Sequence, residues 1–132
     1  MAREKKIVDA SVIVKWFVDE EDSDRALALR EEHRRGDTLL VIPEIALAEV
    51  INALRYKHTD FSALQEAIKS LWDVQLHVEH LSSDLLAQAS KLALQYKLSI
   101  YDALYAALAT RFGCTLITAD ETLAKAPNAM LL

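Results

Sequence analysis

Short apolar runs typical of β-strands alternate along this chain with longer segments of helical periodicity, and this order restricts the fold more than any other feature. The predicted strands are the run around Ile7-Val8, Leu39 to Ile42, Leu76 to Glu79, Thr115 to Thr118 and a short terminal run, Met130 to Leu132. Helical segments separate the first four, as parallel strands require. We therefore expect an α/β fold with one parallel sheet of four or five strands and helices on both faces.

The helical segments carry local start and stop signals. The predicted helices are Val12 to Val18, Asp24 to Arg35, the stretch after Pro43, the stretch that Thr59-Asp60 caps, the stretch that Ser82 caps, and Ile100 to Phe112. Gly36 is a standard C-terminal stop, and Pro43 is predicted in the first turn of its helix. The helix after Asp60 has apolar residues at helical spacing, which predicts a buried stripe: Phe61, Leu64, Ile68 and Leu71.

The composition is that of one ordinary globular domain. The 132 residues are 52% hydrophobic and 27% charged, with Gly 2 and Pro 2, so we expect a single domain over residues 1–132 and not an all-β fold. The lone Cys114 allows no internal disulfide, and no apolar stretch approaches the roughly 18 residues of a membrane span. We expect a cytoplasmic protein without a membrane contact. A net charge of −5 gives no overall footprint for nucleic acid, so local basic residues or a bound metal would have to attract it.

Four acidic residues lie where the fold could collect them: Asp9, Glu49, Asp102 and Asp120. Asp9 and Asp120 each follow a predicted strand, and open α/β sheets bind ligands at the carboxyl edge where the strand order reverses. Carboxylates held close together repel one another, and a divalent cation would turn that repulsion into attraction. Hard carboxylate oxygens suit magnesium or manganese. Ser11 could hydrogen-bond Asp9 and fix its rotamer.

Each acid also has an explanation without chemistry. Asp9 could cap the helix that follows it, and Asp120 could cap a short helix beginning at Glu121. Ser99 and Asp102 have the spacing of a capping box. Glu49, inside an apolar helix, could reach solvent or pair with a basic residue from elsewhere. Singly these positions are therefore not specific, and their joint placement carries the functional hypothesis.

The pattern as a whole resembles PIN-domain ribonucleases, and most closely the VapC-type toxins of toxin–antitoxin pairs. The resemblance implies a three-layer α/β/α sandwich and a magnesium- or manganese-dependent endonuclease acting on RNA. It matches Asp9, Glu49, Asp102 and Asp120 to the family's acidic quartet and implies as partners a second copy of the chain and an antitoxin. It gives supporting roles to Ser11, Asn52 and Thr118. The motifs that carry it are Ile7 to Ser11, Pro43-Glu44 with Glu49 to Leu54, Ser99 to Ala103 and Ile117 to Asp120.

The mechanism expected from this resemblance is metal-assisted hydrolysis of an RNA phosphodiester with one or two divalent ions. No histidine is needed as a base, and the four histidines are predicted to be solvated. Two alternatives stay open: a catalytically silent PIN-like binding module, and a phosphotransferase with Asp9 as nucleophile. Haloacid-dehalogenase-type phosphatases have a second aspartate where this chain has Ser11. The candidate phosphate contacts are Lys15, Arg55, Lys57 and Arg111.

Overall fold

A computed structural model, which describes residues 3–58 and 60–132, contains one five-stranded sheet in the order β3-β2-β1-β4-β5. Every pairing between neighbouring strands is parallel. The prediction of a parallel sheet is confirmed, and the terminal run forms a fifth strand beside β4. The strands are β1 Glu4–Val8, β2 Thr38–Pro43, β3 His77–Glu79, β4 Thr115–Thr118 and β5 Ala129–Leu131.

Six α-helices and a short 3-10 turn connect the strands within the described ranges. The helices are α1 Ala10–Val14, α2 Ser23–Arg35, α3 Ile45–Arg55, α4 Phe61–Asp73, α5 Ser83–Tyr96 and α6 Ile100–Phe112, and the 3-10 turn is Leu123–Lys125. Helix α6 packs on β1, β2 and β4 and pairs with α5, whereas α1 to α4 contact one another. Crossovers between parallel strands are almost always right-handed, and with this strand order that rule places the two groups on opposite faces of the sheet, in three layers. No helix in the described part of the chain is long and apolar enough to cross a membrane.

The strand order reverses between β1 and β4. From β1 the chain proceeds to β2 and β3 on one side, and then crosses to β4 and β5 on the other. In open α/β sheets, the carboxyl ends of the strands at such a point form a crevice. Asp9 directly follows β1, and Asp120 lies two residues after β4, so the fold brings both acids to this crevice.

The helix boundaries follow from local capping chemistry. Gly36 ends α2 at φ 83°, a left-handed conformation that glycine adopts without steric cost. Ser82 and Ser99 accept backbone N–H groups at the starts of α5 and α6. Asp60 accepts the backbone N–H of Ser62 and caps α4, while Thr59, its predicted partner in capping, lies outside the described residues.

Two predictions of local structure are wrong. Helix α1 begins at Ala10 and ends at Val14, earlier at both ends than the predicted range of Val12 to Val18. It begins there because Asp9 supplies the cap. Pro43 is the last residue of β2 and not part of the following helix, since it is paired with Glu79 of β3 and the next backbone N–H, that of Glu44, donates to Glu79 O at 2.9 Å.

The burial of Phe61 and of His33 departs from prediction, and the two tryptophans, Trp16 and Trp72, differ in their exposure. Phe61 and Trp72 on α4 are 71% and 59% exposed. Helix α4 packs on α3, and of its predicted stripe only Leu71 is deeply buried. Trp16 lies in the core, where its indole N–H donates to Ala26 O at 2.7 Å. His33, predicted to be solvated, is buried, and its Nδ1 accepts the backbone N–H of Leu40 at 3.1 Å.

Candidate functional site

The centre of the candidate site is Asp9, at the carboxyl end of β1. Its side chain is only 5% exposed. Oδ1 accepts a hydrogen bond from Ser11 Oγ at 2.6 Å, and Oδ2 accepts one from Thr118 Oγ1 at 2.8 Å. Burial raises the pKa of Asp9 from 3.8 to about 6, against the lowering effect of these hydrogen bonds. Oδ1 also accepts the backbone N–H of Val12 at 3.4 Å, so the predicted capping role and the place in the crevice are both present.

Two hydroxyl groups join the ends of β1 and β4 around this carboxylate. Ser11 Oγ donates to Asp9 and accepts the backbone N–H of Ala119 at 3.0 Å. Thr118 Oγ1 donates to the other Asp9 oxygen and accepts the backbone N–H of Asp120 at 3.0 Å. The hydrogen bond predicted for Ser11 is therefore present. Thr118 reaches across from the end of β4 to Asp9, so both hydroxyls hold one carboxylate in a fixed orientation.

Asp102 and Asp120 supply two further carboxylates, and each also takes part in a capping interaction. Asp102 is in the first turn of α6, where its backbone N–H donates to Ser99 Oγ at 3.0 Å as the capping pattern predicts. Its side chain is half-buried, and burial, followed by the negative charge of Asp120, raises its pKa. Asp120 is half-buried and accepts the backbone N–H of Thr122 at 2.9 Å. The capping interactions leave both carboxylates close enough to repel each other.

Glu49 enters the site from α3 and is held by a residue whose role sequence reasoning missed. The Tyr105 hydroxyl on α6 donates to Glu49 Oε1 at 2.5 Å. Tyr105 is almost fully buried, and burial together with the charge of Glu49 raises its pKa, so the phenol stays protonated as a donor. Burial also raises the pKa of Glu49, and the charge of Asp102 adds to that rise. One signal was available in the sequence: Tyr105 lies three residues after Asp102, on the same helix face.

The four carboxylates form one connected region of negative charge. Asp102 links it, because its charge raises the pKa of both Asp9 and Glu49 and its own pKa is raised by Asp120. Within residues 3–58 and 60–132, none of the four forms an ion pair with lysine, arginine or histidine. Buried or half-buried acids without a counter-charge destabilise the fold. The region therefore has the charge and the hard oxygen donors that a divalent cation requires.

The arrangement is not a closed metal cage. Among the described residues, no group of three or more histidine, cysteine, aspartate or glutamate side chains is arranged to hold a metal ion. Mutual repulsion favours separation of the carboxylates, and hydroxyl donors already occupy both Asp9 oxygens. The donor chemistry thus fits magnesium or manganese, while binding would require the carboxylates to approach one another more closely than they do here.

The remaining predicted residues lie around this region with weaker links to it. Asn52 is exposed on α3, one turn after Glu49. Three of the four candidate phosphate contacts already have acidic partners: Lys15 Nζ lies 3.7 Å and Lys57 Nζ 3.8 Å from Glu20, and Arg111 lies 3.0 Å from Asp84. Arg55, exposed at the end of α3, stacks on the ring of Tyr56 at 5.3 Å.

Comparison with known proteins identifies a family, a relative and a solved structure that are similar to nearly the whole chain. The model of the family described as PIN domain matches residues 6–129. Ribonuclease VapC3 of Pyrobaculum aerophilum is 34% identical over 127 residues, which cover 92% of this chain and 93% of the relative. The crystal structure of PAE2754 from Pyrobaculum aerophilum has a TM-score of 0.72 at 26% identity and covers 99% of this chain and 90% of that chain.

A chain of a solved toxin–antitoxin complex has a similar fold at lower sequence identity. A toxin–antitoxin complex from Klebsiella pneumoniae contains a chain with a TM-score of 0.72 at 20% identity, covering 95% of each chain. At this identity the likeness concerns the fold. Together with PAE2754 it confirms the three-layer arrangement around a parallel sheet.

Proposed function

Because the chain belongs to the PIN-domain family, we propose that it is a divalent-metal-dependent endoribonuclease that hydrolyses RNA phosphodiester bonds. The observation that carries this proposal is the gathering of four carboxylates at one edge of the sheet without a cationic partner among the described residues. The relative named Ribonuclease VapC3 supports RNA as the substrate.

The proposed roles follow from where each side chain is held. Asp9, Glu49, Asp102 and Asp120 would hold magnesium or manganese. The bound ion would polarise the scissile phosphate and lower the pKa of a water molecule, so no histidine is required as a base. Ser11 and Thr118 orient Asp9 from both of its oxygens.

Tyr105 completes the support from the other side of the crevice. Its hydroxyl fixes Glu49 Oε1 and leaves the other oxygen of that carboxylate for a ligand. Because the phenol has a raised pKa, it holds this carboxylate as a neutral donor without adding charge. Asn52, on the exposed side of α3, would contact RNA or solvent at the rim.

The proposed partners are RNA, a second copy of this chain and a cognate antitoxin. The toxin–antitoxin complex from Klebsiella pneumoniae shares the fold, and the curated relative carries a VapC name, which together support an antitoxin as the regulator. An antitoxin that blocks the acidic crevice would prevent RNA from reaching it. Sedimentation equilibrium of the purified chain should give the mass of a dimer, and a monomer at micromolar concentration would contradict self-association.

Ser11 counts against the phosphotransferase alternative. Haloacid-dehalogenase-type phosphatases have a second aspartate at this position, whereas here a serine hydroxyl donates a hydrogen bond to Asp9 Oδ1 at 2.6 Å. The other alternative, a catalytically silent binding module, is distinguished from a nuclease by measuring RNA cleavage and metal uptake.

The test combines cleavage with metal binding. Protein stripped with EDTA is incubated with a fluorescently quenched single-stranded RNA, with or without magnesium or manganese chloride, and manganese uptake is followed by calorimetry. Glu49→Gln should lower cleavage by about 100-fold or more, the scale of losing one preorganised electrostatic group. Glu66→Gln, an exposed glutamate on α4, is the matched control and should cleave normally. Cleavage that persists in EDTA, or no manganese uptake with no cleavage, would contradict the proposal.

A further inference from the structure

A second polar cavity lies at the end of the sheet opposite the acidic crevice. It measures about 310 Å³ and sits where α2 ends and where β1, β2 and β3 begin. Four arginines and one carboxylate are among its lining residues, although the whole chain carries a net charge of −5. These five residues, here called the arginine cavity, are Arg3, Arg30, Arg34, Arg35 and Asp73.

Two of the arginines are held in place by the fold. Arg3 donates from one terminal nitrogen to the carbonyls of His33 and Thr38, each at 2.7 Å, which fixes its guanidinium at the cavity wall. Arg30 lines the cavity from the last turns of α2, and its Nε is buried without a hydrogen-bond partner in residues 3–58 and 60–132. A buried donor without an acceptor destabilises the protein unless a ligand or water supplies one.

Helix electrostatics explain part of this cluster. Arginines in the last turn of a helix interact favourably with its carbonyl end, and Arg34 and Arg35 are in the last turn of α2. They also form ion pairs, at 3.7 Å to Glu31 and 3.1 Å to Asp37. Both arginine side chains are more than half exposed, and exposed pairs of this kind are weak and easily exchanged. The dipole does not account for the unpartnered Arg30 Nε or for the cavity that Arg30 lines.

We infer that the arginine cavity binds a phosphate group. Guanidinium groups match the tetrahedral oxyanion by paired N–H donors, and a phosphate oxygen would give Arg30 Nε the acceptor that it lacks. The volume is at the lower end of the roughly 300–1,000 Å³ of ligand pockets, which suits one phosphate with a small attached group. The negative charge of Asp73 repels a bound anion and should limit the affinity of the cavity for phosphate. The site uses none of the four acids, so it is independent of the nuclease proposal.

The direct test is titration of inorganic phosphate at constant ionic strength, followed by NMR of the arginine Nε–H groups. The Arg30 signal should shift with saturation, while chloride at equal ionic strength should leave it in place. Arg30→Gln should weaken binding by about tenfold or more, as expected for one charge-assisted contact. Arg25→Gln is the matched control, since Arg25 lies on the same helix, is 67% exposed and does not line the cavity.

Two further variants keep the result decisive. Arg34→Gln removes an exposed arginine and should weaken phosphate binding even if Arg30→Gln fails to fold. Asp73→Asn removes the opposing carboxylate and should tighten phosphate binding. A shift that never saturates, an equal response to chloride, or equal effects of the substitutions at Arg25 and Arg34 would overturn the inference.

Competition identifies the source of the phosphate. An RNA oligonucleotide that displaces inorganic phosphate, tested with Asp9→Asn protein to prevent cleavage, would point to an RNA backbone contact. Displacement by adenosine monophosphate but not by the oligonucleotide would point to a small phosphorylated ligand. Failure of both to displace a saturating phosphate signal would show that the cavity excludes phosphate esters and would overturn the site as inferred.

Discussion

Replacing Asp9 with asparagine should stabilise the metal-free protein at pH 8 while abolishing metal-dependent cleavage. Burial raises the pKa of Asp9 from 3.8 to about 6 in the folded chain, so the folded state binds this proton more tightly than the unfolded state. The stability associated with that proton is fully present below pH 3.8 and is lost as the pH rises through about 6. At pH 8 the wild-type protein therefore carries a buried negative charge that the variant lacks.

The size of the effect follows from the two pKa values. At roughly 1.4 kcal/mol per pH unit, the difference between 3.8 and about 6 corresponds to about 3 kcal/mol. Asparagine keeps a side-chain oxygen for one hydroxyl donor, and the other hydroxyl can rotate to accept from its amide. We therefore expect the variant to gain up to about 3 kcal/mol at pH 8, or about 10 °C in Tm for a chain of this length.

The assay is urea unfolding in EDTA at pH 8 and at pH 4, followed by the fluorescence of the buried Trp16. The gain should be present at pH 8 and small at pH 4. Millimolar magnesium should stabilise the wild type and leave Asp9→Asn unchanged, because ligand binding to the folded state adds stability. Asp24→Asn, at an exposed position on α2, is the control and should change stability by less than about 0.5 kcal/mol. A variant less stable than the wild type at pH 8, or an equal difference at both pH values, would refute this reasoning.

Three further substitutions test the contacts around the crevice and one helix end. Tyr105→Phe removes the hydroxyl that donates to Glu49, and this hydrogen bond lowers the pKa of Glu49. In the variant that pKa should rise, so the acid limb of the pH–rate profile should move to higher pH. An unchanged profile would contradict this role of Tyr105. Thr118→Val should destabilise the protein by about 1–3 kcal/mol in urea unfolding and raise the pKa of Asp9 in a carboxyl NMR titration, because a buried charge-assisted hydrogen bond is lost. Lys97→Gly should stabilise the protein by roughly 0.5–1 kcal/mol in thermal unfolding, since Lys97 ends α5 at φ 56°, and a loss of stability would show that its side chain has another role.

Much of the fold was predictable because its signals are local. Apolar runs bounded by helical segments predicted the parallel sheet, and Gly36, Ser82 and Ser99 ended or began helices where their backbone and side-chain chemistry requires. Burial was harder to predict. Phe61 is exposed and His33 is buried, because the burial of each depends on which neighbouring element packs over it, and no short window of sequence contains that neighbour.

In the candidate site, too, local features could be predicted from the sequence, and long-range contacts could not. The sequence by itself determined the kinds of side chain at the strand and helix ends, including Asp9 and Asp102, since capping and strand termination act over three or four residues. Only the tertiary structure decided that Thr118 holds Asp9 across 109 positions of the chain and that Tyr105 holds Glu49 across 56. Such contacts form when parallel strands and their covering helices meet at one edge, and their geometry depends on packing between elements.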